Sequence, residues 1–206
     1  LNEAKTNLNR QPQFPQSEID AYKSNSDPIL YPNTDWFDYY FGNPTPVTNH
    51  NISANGGNEL LLYNLSLGYL NQEGLEGETS KERYNFRINT EIKLTDKLKA
   101  GTNLYAYWQK LKGNPNVMNI IKDGAGSPGV LPIHPDGRFG GPQVEGEGFV
   151  GNPAATLASQ DQTRYNQFFL GKLYAEYEFL DGLVLQTNAA IKFSNYKYKG
   201  ISEPFV

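Results

Sequence analysis

The residue types best able to do chemistry are thinly spread along this chain. There is no cysteine, which excludes disulfide staples and thiolate metal sites. His50 and His134 are the only histidines and lie far apart in sequence. Such a bare pair is a poor ligand set beside the plainer reading of one strand-end imidazole and one in a Pro-rich turn. Glu145-Gly146-Glu147 offers acids without the ligand spacing of a dedicated calcium loop. Gly124-x-Gly126 and Gly140-Gly141 lack the strand-to-helix setting and the lysine of phosphate loops. Asp35/Asp38 and Glu176/Glu178 pair carboxylates as glycosidases do. Glu176 and Glu178, however, share a strand phase with Lys172, and charge balance on a polar face accounts for them. No Ser/His/Asp arrangement stands out. The sequence reads as a non-enzyme without metal or cofactor.

What remains is a binding set. Tyr105 and Tyr107 share one phase of a strand, and Arg83, Asn85 and Arg87 share one phase of the strand before it. Sugar rings stack on aromatic faces and their hydroxyls bond to Asn and Arg, and peptides use the same groups. For each of these residues the competing reading is packing against neighbouring protein.

The elements that position these residues are strands. In 206 residues there are 14 Tyr, 11 Phe, 20 Gly and 13 Pro, a mixture that favours β structure with frequent turns. The net charge of −4 supplies no basic field for nucleic acid. No apolar run reaches transmembrane-helix length; Leu60 to Leu70 is broken by Asn64, Ser66 and Gly68. Residues 1–46 read as an irregular segment with short helices, one opening at Ser17 and one capped by Thr34 or Asp35. The rings of Trp36, Phe37, Tyr39, Tyr40 and Phe41 anchor that segment on other protein.

From Val47 onward the period is two, and the spacing predicts strands at 47–55, 60–71, 82–94, 98–109, 166–179 and 183–196. The third is clearest: Tyr84, Phe86, Ile88, Thr90, Ile92 and Leu94 alternate with Arg83, Asn85, Arg87, Asn89, Glu91 and Lys93. The second, fourth, fifth and sixth likewise carry one phase without any charge. The first is poorer, with Asn49, Asn51, Ser53 and Asn55 opposing His50, Ile52 and Ala54.

Alternation alone fits a soluble or surface β-sandwich, such as a carbohydrate-binding module, as well as a membrane barrel. Three further features favour the barrel. The strands sustain their pattern for about a dozen residues, against roughly 5–6 in ordinary domains, and at ~45° tilt that length crosses hydrocarbon. Tight connections (Gly56 to Glu59, Thr95 to Lys97, Leu180 to Gly182) alternate with long ones (Gln72 to Lys81, 110–165), as periplasmic turns and external loops do. Aromatics flank an aliphatic middle on the uncharged phase, like two interfacial girdles. The expected fold is all-β: six strands of an antiparallel up-and-down transmembrane barrel over 47–206, with 110–165 as a long external loop. Bacterial barrels need about eight strands or more, and an open sheet edge is not tolerated in lipid. That reading requires an internal piece of a longer protein, consistent with an opening Leu and no leader.

A serial set of motifs resembles one family. Tyr31-Pro32-Asn33-Thr34-Asp35-Trp36-Phe37 is followed by Asn49-His50-Asn51-Ile52-Ser53 with Gly56-Gly57. Then come Ser66-Leu67-Gly68-Tyr69-Leu70-Asn71-Gln72-Glu73-Gly74, Arg83-Tyr84-Asn85-Phe86-Arg87-Ile88-Asn89, Leu98-Lys99-Ala100-Gly101, Asn152-Pro153 and Asp181-Gly182-Leu183. In this order they resemble TonB-dependent transporters of the SusC/RagA type. The resemblance implies a Gram-negative outer-membrane barrel of about twenty-two strands, filled by a plug. It also implies a SusD-type surface lipoprotein as lid, TonB as energy source acting through the plug, and oligosaccharides or peptides as cargo. Phe139 and Phe149, among glycines, would then touch cargo or lid, and packing of the binding set against the plug is its competing role.

Overall fold

The computed structural model describes residues 2–12, 14–75, 79–114, 116–124, 129–141 and 151–202. Glu145, Glu147, Phe149 and Gly126 lie outside them. The chain forms two compact units, one from residues before Pro44 and between Asn114 and Gln160, the other from 44–113 and 161–201.

The first unit is helical and small. It contains α1 (Asn2–Asn7), α2 (Gln16–Ser24), α3 (Trp36–Phe41), α4 (Val117–Gly124) and α5 (Pro153–Ala158). α3 begins where Asp35 caps it, its carboxylate accepting from the backbone N–H groups of Phe37 and Asp38 at 2.9 Å each. That start sets Trp36 and Tyr40 one turn apart on one face, where they are 2% and 8% exposed. Val117 and Ile121 repeat the same spacing on α4, and with Val130 and Ala154 they complete the core. Thr34 ties the segment down by donating to the Val130 carbonyl at 2.8 Å.

Asn152 and Pro153 open α5. The Asn152 amide oxygen accepts from the N–H groups of Ala154 and Ala155, and its amide nitrogen donates to the carbonyls of Leu131, Pro132 and Gly140. One side chain thus caps a helix and holds the preceding loop. Of the ring cluster expected to anchor residues 1–46, Trp36 and Tyr40 are buried while Phe37 is 69% exposed. Phe139 packs against the same core.

The second unit is one sheet: β1 (Val47–Gly57), β2 (Leu61–Glu73), β3 (Ser80–Thr95), β4 (Leu98–Lys112), β5 (Gln160–Leu180) and β6 (Leu183–Ser202), in sequence order. β1 to β5 pair antiparallel, and β6 follows β5 through Asp181-Gly182. Gly182 has φ +80°, a conformation that side-chain-bearing residues resist. The register places the uncharged phases side by side. Ile52 faces Leu67, Leu67 faces Phe86, Phe86 faces Ala106 and Ala106 faces Phe169. The next row toward the tight turns is Ala54, Leu65, Ile88, Leu104 and Gly171. A slip of one residue on any strand would break every row.

No second layer covers these rows among the described residues: Leu67, Leu173, Leu185 and Ile191 are 52%, 59%, 66% and 65% exposed. A sandwich would bury them, and that alternative is not favoured. The strands also run further than the hydrophobic pattern predicts. β3 starts at Ser80, β4 ends at Lys112, β5 starts at Gln160 and β6 ends at Ser202. The pattern stops where both phases turn polar, at Glu82, Lys110, Tyr165 and Lys197, whereas backbone pairing is indifferent to side chain and continues.

Burial pushes the Tyr40 phenol well above the ordinary tyrosine range, and neighbouring Tyr39 adds to it. Its hydroxyl has no hydrogen-bond partner among the described residues. Below pH ~10 the phenol is neutral in both folded and unfolded chains, so it contributes no pH dependence there. Above that, the unfolded chain ionises first and the helical unit loses stability. Tyr40→Phe is expected to be neutral or stabilising by about 1 kcal/mol and to remove that alkaline loss. Trp36→Ala should cost about 3–5 kcal/mol. Limited proteolysis of the helical unit in the full-length protein, at pH 8 and pH 11, reads both effects.

Candidate functional site

On the charged side of the sheet the predicted set converges. Arg83 and Arg87 sit on β3 opposite Gln109 and Tyr105 of β4, and Asn85 sits between them opposite Tyr107. The Arg83 guanidinium donates from Nη2 to the Tyr105 hydroxyl at 2.5 Å and lies 4.4 Å from the Tyr107 ring centre. The Arg87 guanidinium lies 5.3 Å from the Tyr105 ring centre. Charge over a ring face is attracted by the ring quadrupole, so each arginine is held by an aromatic of the next strand. Asn85 stands at the margin, where Gly68 leaves room: a Cβ there would meet the amides of Asn85 and Asn51 within 2.7 Å.

Two members were missed by sequence reasoning. Phe168 of β5 faces Tyr107 in register, and the two rings stack at 5.2 Å with planes 10° apart. Lys192 of β6 places its ammonium 5.8 Å from the Phe168 ring centre. The signal was present in Phe168-Phe169, where one ring must fall on the charged phase. The result is a platform of Tyr105, Tyr107 and Phe168 edged by Arg83, Arg87 and Lys192.

Charge on this face is segregated along the strands. Toward the tight turns, Glu91 takes a hydrogen bond from Tyr174 at 3.2 Å and pairs with Lys99 at 3.7 Å. There too Glu176 accepts from Gln186 and Glu178 from the Gly182 N–H. These contacts are structural, and Glu176 and Glu178 bond to a side-chain amide and a backbone N–H rather than to Lys172. Cations edging aromatics prevail toward the long connections. Such a surface holds flat or polyhydroxylated ligands by stacking and oxygen-rich ones by guanidinium hydrogen bonds.

The opposite face is graded differently. His50, Tyr69, Tyr84 and Trp108 form one continuous row of rings, with centroids 6.4, 4.9 and 5.8 Å apart. Below it lie the aliphatic rows, and Tyr177 and Phe179 follow near the tight turn, 6.3 Å apart. From Tyr84 to Leu94 the uncharged stretch of β3 rises about 23 Å at ~45° tilt, the height of a barrel's apolar band. An uncovered uncharged face of bilayer height, ring-bordered at both ends and backed by a charged one, defines a wall segment of an up-and-down membrane β-barrel.

The comparisons with known proteins agree. The chain is 34% identical over 178 residues to TonB-dependent receptor P26 of Formosa agariphila, a match covering 84% of this chain and 17% of the relative. It is 23% identical over 172 residues to TonB-dependent receptor P3 of the same organism, covering 79% of this chain and 17% of that one. Solved structures of the RagAB peptide importer in its closed-closed and open-open states share the fold, each with TM-score 0.65 at 20% identity. Each match covers 84% of this chain and 20% of that one. No family model matches. The chain belongs to the TonB-dependent receptors, as a segment of their barrel, and spans about a sixth of the length of the curated relatives it matches.

Leu104 lies at mid-height on the uncharged face and Asn103 beside it on the charged one. In the full-length receptor, Leu104→Arg should cost about 2–4 kcal/mol of barrel stability, and Asn103→Arg under about 1 kcal/mol. Urea titration of heat-modifiable gel migration measures the difference; equal costs would contradict a lipid-facing assignment.

Proposed function

We propose that the protein to which this segment belongs is an outer-membrane importer of large nutrients, oligosaccharides or peptides, in a Gram-negative bacterium. The observation that carries this reading is the cation-edged ring platform on the charged face of a barrel wall whose relatives are TonB-dependent receptors. In this proposal the charged face lines the lumen, where a plug moves under TonB. A SusD-type lipoprotein closes the external mouth. The tight turns face the periplasm, while residues 1–46 and the 110–165 connection stand outside. The structural neighbours are RagAB peptide importers, which favours a lidded assembly and leaves peptide and glycan cargo to experiment.

Tyr105, Tyr107, Arg83, Arg87 and Asn85 line the passage in this reading, joined by Phe168 and Lys192. A Tyr105→Ala, Tyr107→Ala pair removes both the rings and the seats of the two guanidinium groups. Loss of stacking and cation–ring contact worth about 1–2 kcal/mol should weaken ligand binding roughly 5–30-fold. The test is binding of peptide and oligosaccharide mixtures to the purified full-length receptor, with growth on each as sole carbon source. Unchanged binding of both, with the barrel still heat-modifiable, would show that the platform packs against the plug instead.

A further inference from the structure

Just beyond the uncharged band, on the same face, the sheet carries a patch of lysines that neither the platform nor the apolar band uses. One register step above Trp108 stands Lys110, which faces Glu82 on one side and Tyr165 on the other. Asn195 of β6 bonds to Gln167 of β5 across the sheet at 3.2 Å, which sets them on one face. Gln167 in turn faces Trp108. Lys197 and Lys199 follow Asn195 by two and four residues and therefore share that face. Tyr165 and Thr163 of β5 lie between the β4 and β6 lysines, and the Tyr165 ring is 6.2 Å from that of Trp108. Lys112, which is engaged within the fold, lies one further step along and faces Thr163.

Three acids share this border. Glu82 accepts the Tyr84 hydroxyl at 2.8 Å and stands opposite Lys110, and Glu73 ends β2. These two are on the β2–β3 side, whereas Asp161, two residues before Thr163 on β5, shares the face of the lysines. Toward β5 and β6 this face carries Lys110, Lys197 and Lys199 with the Tyr165 and Thr163 hydroxyls, and these cations outnumber Asp161 at its edge. Lys197 and Lys199 are exposed, and no ion pair is made by Lys110, Lys197 or Lys199 among the described residues.

A border of lysines immediately past an aromatic row is where lipid headgroups sit, and unpaired ammonium groups there select anionic ones. We propose that Lys110, Lys197 and Lys199, with the Tyr165 and Thr163 hydroxyls between them, bind the phosphorylated headgroup of a membrane lipid. The acyl chains of that lipid lie along the Ile191 and Phe193 face below. Strands stand about 4.8 Å apart, so the β4 and β6 lysines bracket a gap of roughly 10 Å, wide enough for a phosphate with its sugar or glycerol. On the orientation given under the proposed function, this border lies in the outer leaflet, and the occupant is a phosphorylated glycolipid. The inference rests on that barrel reading.

The full-length receptor, delipidated in detergent, is titrated with lipid A, with dephosphorylated lipid A and with inorganic phosphate, and bound lipid is counted by native mass spectrometry. Wild type should prefer the phosphorylated lipid at least about tenfold. The triple variant Lys110→Gln, Lys197→Gln, Lys199→Gln should lose that preference, and Lys197→Gln with Lys199→Gln should lose part of it. Lys99→Gln with Lys172→Gln, on the charged face, should keep it. A triple variant with undiminished preference, equal binding of the dephosphorylated lipid, or inorganic phosphate displacing the lipid at equal concentration would overturn the proposal. Heat-modifiable migration of wild type is scored in parallel: if it is absent, the barrel reading itself fails and takes the headgroup site with it.

Discussion

Everything in the sheet depends on the pairing of backbone amides across neighbouring strands in one register. In hydrocarbon an unpaired N–H or C=O costs several kcal/mol, so the ladder has to be complete wherever lipid touches it. A complete ladder in turn fixes which residues sit opposite one another. Because successive side chains point to opposite faces, register converts six one-dimensional patterns into two surfaces. The row from Ile52 to Phe169 and the platform of Tyr105, Tyr107 and Phe168 are the two sides of the same constraint. Neither surface can be altered without regard to the other.

The strands were legible because their alternation is strict: Tyr84 to Leu94 holds six uncharged residues in phase against Arg83 to Lys93, and no other element yields that period. The same alternation showed which phases of β2 to β5 share a face, but a slip of two residues keeps those phases together, so the register itself came from the structure. Strand ends were less visible. At Glu82, Lys110 and Lys197 the contrast between faces disappears while pairing goes on, so a pattern of side chains cannot mark where the backbone ladder ends. The site was half visible. Neighbouring strands β3 and β4 supplied Arg83, Arg87, Tyr105 and Tyr107, but Phe168 and Lys192 come from strands beyond a long connection. Their approach depends on register rather than on local sequence.

The helical unit shows the opposite relation between sequence and structure. Asp35 as a cap, and Trp36 and Tyr40 as anchors, follow from local spacing. What they pack on does not: Val117, Ile121 and Val130 lie some eighty to ninety residues further along, and no periodicity links them to α3. The bond from Thr34 to the Val130 carbonyl spans 96 residues. Asn152 gathers three carbonyls from Leu131, Pro132 and Gly140 and two N–H groups from the first turn of α5. Such polar cross-links give a loop a defined shape where apolar burial is scarce.

Alternation has a bearing on how such a chain travels. Because Arg83, Arg87, Glu91 and Lys93 interrupt the uncharged residues of β3 every few positions, no stretch is greasy enough to arrest in the inner membrane during secretion. The polypeptide becomes lipophilic only as a folded surface, when hydrogen bonding between strands sorts the two kinds of residue apart. In the outer-membrane importer proposed above, export through one bilayer and residence in another are thereby reconciled in a single sequence.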